Sequence, residues 1–90
     1  MTRIVSTTDV LGGEPRIADR RIGVLDVYDL VAAGHSPVDV ADQFDATLAE
    51  VHAALTYYYE HPEQMRTLRR EREETKRTLA SEALAPPHTA

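Results

Sequence analysis

A mainly α fold is predicted, with three short helices in the outline of a helix-turn-helix, a small β arm before them and a charged helix after them. Three observations predict it. Apolar residues recur at helical spacing from Val24 to Tyr59. Two helix-start signals, Ser36-Pro37-Val38-Asp39 and Thr47-Leu48-Ala49-Glu50, interrupt that stripe. Beyond Pro62 the chain turns highly charged and poor in apolar residues.

The arm comes first. Ile4 and Val5 suit a short strand, and Gly12-Gly13 followed by Glu14-Pro15 marks a loop. Arg16 to Ile22 reads as two strand pieces around a tight turn, with Asp19 at the position that calls for a left-handed residue. Such a hairpin is marginal alone, so it must pack on the helices or on a second copy.

The first helix shows Val24, Val27, Tyr28 and Val31 on one face, and Gly34 is placed to end it. The second runs from Pro37 to about Phe44 behind a Ser36 cap, with Val38, Ala41 and Phe44 expected inward. Asp45 and Ala46 form the turn. The third starts at a Thr47/Glu50 capping box and sets Leu48, Val51, Leu55 and Tyr58 inward. Three consecutive tyrosines, Tyr57 to Tyr59, span too wide an arc to share one core, so at least one lies at the surface. Pro62 pushes His61 out of helical geometry and ends or kinks the helix. Glu63 to Glu82 then reads as a charged helix whose only apolar anchors are Met65, Leu68 and Leu79, too few to hold it on the domain. The expected organisation is a domain over 1–60, a helical tail over 61–82 and a frayed end over 83–90.

Size and composition narrow the function. Ninety residues with one Phe and no Trp make one small core of Val, Leu, Ile and Ala, with little room for an enclosed active site. The absence of Cys removes disulfides, thiol nucleophiles and Cys-type zinc sites. The four histidines lack metal-ligand spacing, and no nucleophile–base pair or carboxylate dyad can be placed, so no catalytic residue, metal or cofactor is expected. Glu14 and Pro15 deny the Gly12-Gly13 turn a phosphate-binding role, by charge and by loss of an amide donor. No apolar run is long enough to cross a bilayer, and Met1 to Asp9 is too polar for a secretory signal, so a soluble cytoplasmic protein is expected. The net charge of −5 opposes bulk nucleic-acid binding; residues 1–60 carry −6 and residues 61–90 carry +1.

Gly12-Gly13-Glu14-Pro15-Arg16-Ile17, Arg21-Ile22, Gly34-His35-Ser36 with Asp39-Val40, Thr47-Leu48 and Val51-His52-Ala53-Ala54-Leu55-Thr56-Tyr57-Tyr58 occur in this order. From about Ile4 to Glu60 the chain resembles the family catalogued as domain of unknown function 433, whose members resemble VapB-type antitoxins. The resemblance implies a homeodomain-like helix-turn-helix behind a short β arm, and a PIN-like ribonuclease toxin as partner. The chain departs from the family in carrying Asp19-Arg20 where Gly-Thr is usual, and its third helix holds no Arg or Lys.

Three sets of candidate residues follow. Arg16, Arg20 and Arg21, with His52 and Thr56 on the third helix, are the candidates for operator DNA; pairing of the arginines with Asp9, Glu14, Asp19 or Asp26 is the structural alternative. Met65, Arg66, Leu68, Arg69 and Arg72 are the candidates for the toxin, because guanidinium groups suit the carboxylates of a nuclease metal site; a plain solvated helix is the alternative. Ile17, Ile22, Tyr28 and Tyr57 are the candidates for a homodimer interface. The expected function is a non-enzymatic antitoxin. Its rivals are a stand-alone DNA-binding regulator and an interaction domain without DNA contact.

Overall fold

The computed structural model describes residues 2–84. Its elements are β1 (Ile4–Val5), a 3-10 turn (Leu11–Gly13), β2 (Arg16–Ile17), α1 (Val24–Ala32), α2 (Pro37–Phe44), α3 (Leu48–Glu60) and α4 (Pro62–Leu84). The chain is thus mainly helical with a small antiparallel pair at its N-terminal end. The part of the frayed end expected over 85–90 lies outside the described residues.

β1 pairs with β2, Ile4 opposite Ile17 and Val5 opposite Arg16. The second piece of the expected hairpin shrinks to one bridge between Arg16 and Gly23, supported by the Ile17 N–H donating to the Ile22 carbonyl at 3.0 Å. Asp19 takes φ 63° in the turn between them, the left-handed state its position calls for. Ile17 and Ile22 are 1% and 8% exposed and point into the protein's own core. The arm therefore needs no second copy to cover it, and these two residues are lost to any dimer interface.

Four helix ends are satisfied locally. After α1, Gly34 adopts φ 109°, and the N–H groups of Gly34 and His35 donate to Val31 and Leu30, which is a Schellman motif. After α2 the same pattern forms around Asp45 at φ 52°, with N–H groups of Asp45 and Ala46 reaching Asp42 and Ala41. Ser36 Oγ accepts from the Asp39 N–H at the start of α2. Thr47 and Glu50 form the reciprocal capping box of α3 at 2.8 and 3.1 Å.

The core gathers Ile17, Ile22, Val24, Leu25, Val27, Val40, Ala41, Val51, Ala54 and Met65. Two positions expected inward are exposed instead, Val38 at 64% and Leu48 at 44%. At about 100° per residue, Val40, Ala41 and Phe44 share a narrower arc than Val38, Ala41 and Phe44, and α2 turns the narrower arc inward. Helix α3 does likewise, burying Val51 and Ala54 and leaving Leu48 in its first turn at the rim.

Helix α4 overturns the expectation that it could not hold itself on the domain. His61 breaks α3 with φ −129° and ψ 57°, and Pro62 starts a new helix at once. Met65, one turn on, is 1% exposed in the core, and Leu68 packs at its edge. A single long, unbranched side chain reaches what a shorter residue would miss. Past Arg72 every described side chain of α4 is exposed. The helix spans about 34 Å by its rise per residue, and the molecule is 56 Å long against 25 and 23 Å across.

If α4 is seated by Met65, Met65→Ala should lower unfolding stability by about 2–5 kcal/mol. Leu79→Ala, on the exposed half of the same helix, should change it by less than about 0.5 kcal/mol. Urea denaturation of both variants checks the contrast.

Candidate interaction site

The seat of α4 is completed by charge. Arg72 presents its guanidinium fork to Glu14, Nε at 2.8 Å and an Nη at 2.6 Å, and the same Nη reaches Asp26 at 3.2 Å. Arg69 donates to Asp29 at 2.6 Å. Glu14 arrives from the loop because Leu11, Gly12 and Gly13 all adopt positive φ, at 52°, 62° and 86°. Glycine takes that state at little cost, so the paired glycines are what bend the loop. The hydrogen bonds to Glu14 raise the Arg72 guanidinium further above its already high pKa, against the opposing effect of burial. Arg72 and Asp26 stay 38% and 42% exposed, so water screens the pairs, and the network adds on the order of 1 kcal/mol.

Two of the arm arginines are used inside the head. Arg16 donates to the carbonyls of Ile17 and Arg20 and to the Thr7 hydroxyl. Arg20 donates to the Asp45 carbonyl at 2.7 Å and pairs with Glu50 at 3.3 Å, tying the arm turn to the α2–α3 corner. Among the described residues, Arg21 and Arg3 are exposed and form no salt bridge. The structure thus separates the expected trio: Arg16 and Arg20 hold the fold and Arg21 faces solvent.

His52 and Thr56 are both exposed on α3, as a groove-facing helix requires. Between Pro37 and Glu60 the residues Asp39, Asp42, Asp45 and Glu60 are exposed, and that span holds no Arg or Lys.

The tyrosines form two groups. Tyr57 stacks on His61 at 3.9 Å and its hydroxyl donates to Gln64 at 2.8 Å, so it braces the α3–α4 corner. Tyr28 and Tyr58 lie face to face, centroids 3.6 Å apart, and Tyr59 meets both edge-on at 6.0 and 5.6 Å. The Arg69 guanidinium sits 5.7 and 5.8 Å from the Tyr28 and Tyr58 rings. Tyr58 beside it, and then burial, push the Tyr28 hydroxyl above its ordinary pKa, with Arg69 pulling the other way.

Of the five residues expected on the toxin, Met65 is in the core, Leu68 is half-buried, and Arg69 and Arg72 are engaged by the head. Only Arg66 is exposed and without a salt bridge among the described residues. Arg70, Lys76, Arg77 and Leu79 of the same helix are also exposed, and none of them forms a salt bridge among the described residues. The carboxylates of Glu14, Asp26 and Asp29 were missed as partners of α4, since 40 or more positions separate each from its arginine. Among the described residues no cluster of potential metal ligands forms, and no helix is long and apolar enough to cross a membrane.

The family described as "Protein of unknown function (DUF433)" matches residues 4–58. No curated protein and no solved structure matches the chain. The matched span stops short of α4 and contains all three of the carboxylates that grip it.

The Glu50 carboxyl carries a pH dependence. Its pKa lies below the ordinary 4.5, first through the Thr47 N–H, with Arg20 adding and burial opposing. A carboxyl depressed by folding stabilises the fold above its ordinary pKa and loses that contribution as the pH falls through the folded value. The stability gap between the wild type and Glu50→Gln, followed by urea unfolding, should therefore be present at neutral pH and close as the pH drops below about 4.5. A gap independent of pH would contradict this assignment.

Proposed function

The chain belongs to the DUF433 family, which matches residues 4–58, and we propose that it is a non-enzymatic antitoxin that neutralises a PIN-like ribonuclease through α4. The observation that carries the reading is the division of α4 into two halves. Residues 62–72 are seated on the head by Met65 and Arg72, while residues 73–84 extend past it with every described side chain in solvent. A helix end of this length is marginal in water without support, and it gains that support from a partner. The toxin contact falls to Arg66, Arg70, Lys76, Arg77 and Leu79, which the head does not engage. Guanidinium groups offered along a helix suit the carboxylates of a nuclease centre.

The homeodomain-like helix-turn-helix and its operator belong to this reading as well, with α2, the three-residue corner and α3 as the motif. Arg21 and Arg3 would meet phosphates, and His52 and Thr56 base edges. The acidic surface between Asp39 and Glu60 makes that contact weak, and favours as second reading an interaction domain that does not bind DNA. The protein works in the cytoplasm as a homodimer.

Cutting the chain after Pro62 would remove Met65 from the core, so the informative truncation keeps residues 1–72. Co-expressed with a PIN-like nuclease encoded beside it, the full chain should restore growth, and residues 1–72 should fold, by circular dichroism, yet fail to restore it. Equal rescue by both would overturn the role given to the end of α4.

A further inference from the structure

Helices α1, α3 and α4 meet in a patch that the fold does not use up. Tyr59 remains 65% exposed although its ring touches the Tyr28–Tyr58 stack. Beside the stack stand Arg69 and Asp29, whose side chains are 40% and 46% exposed while they pair with each other at 2.6 Å. Tyrosine and arginine are the residues most enriched where binding energy concentrates, and here they are fixed in place by stacking and by the ion pair, so little ordering is lost on association.

The patch also contains both halves of the contacts it offers. An aromatic edge accepts an aromatic face, and Arg69 and Asp29 carry opposite charges a single hydrogen bond apart. A two-fold interface demands this property, because each residue must find its complement on the same surface of the other copy. A foreign partner places no such demand.

We propose that the Tyr28–Tyr58–Tyr59 patch, with Arg69 and Asp29, is a symmetric interface whose occupant is the same patch of a second copy. Tyr59 of each copy fills the space against the tyrosine stack of the other, and each Arg69 gains a second carboxylate across the two-fold axis. The inference deepens the dimeric part of the function proposed above and rests on nothing else in it. It also moves the dimer contact away from Ile17 and Ile22, which the core has claimed, and away from Tyr57, which braces the α3–α4 corner.

The test is sedimentation equilibrium on the full chain, without nuclease or DNA. The wild type should dimerise, and Tyr59→Ala should weaken the dimer by about tenfold or more. Arg69→Asp makes the patch wholly negative and Asp29→Arg makes it wholly positive, so each variant alone should be monomeric. An equimolar mixture of the two should recover a dimer, as like-charge repulsion becomes attraction in the heterodimer. Circular dichroism confirms that each variant is folded, and recovery in the mixture excludes misfolding as the cause of monomer formation. A monomeric wild type, or single variants that dimerise as the wild type does, would overturn the proposal while leaving neutralisation by α4 to be judged by its own experiment.

Discussion

The insertion of Met65 into a core otherwise built from residues 17–54 is the contact on which the rest of the structure depends. It turns α4 from an appendage into the fourth wall of a small head. Full burial of such a side chain supplies roughly 1.5–3 kcal/mol, a large share for a chain of this size. The charged contacts follow from it. Once Met65 is seated, Arg69 and Arg72 lie one and two turns further along the helix, within reach of Asp29, Glu14 and Asp26. Those pairs are too exposed to seat the helix themselves, and they settle its direction instead.

Under the proposed function, this division of labour lets one helix serve two purposes. The first half is ordered by the head and therefore fixes where the second half projects. A partner that receives residues 73–84 meets a helix that is already formed at its root, which reduces the ordering cost of binding. The same seat fixes Arg69 over the tyrosine stack, so the geometry of α4 also determines the aromatic patch beside α1 and α3.

The local parts of the fold were legible in the sequence. The Ser36 cap, the Thr47/Glu50 box, the left-handed Gly34 and Asp19, and the break at His61-Pro62 each rest on interactions within a few residues. The choice between Val38 and Val40 was not legible, because a helix of eight residues admits two apolar arcs and its neighbours choose between them. The seat of α4 was also hidden. Its polar contacts join residues 40, 46 and 58 positions apart, and one buried methionine in a charged segment has no periodicity to announce it. The arginines of the arm were legible as a cluster but not in their use. Arg16 and Arg20 turn to backbone carbonyls that exist only once the arm and the α2–α3 corner are folded.

Native-state hydrogen exchange along α4 tests the seat most directly, because amide protection reports how firmly each turn is held. Amides from Met65 to about Arg72 should exchange as slowly as those in the middle of α1 and α3, while amides beyond Lys76 exchange near the rate of an unstructured chain. Uniformly fast exchange from Pro62 onward would contradict the account.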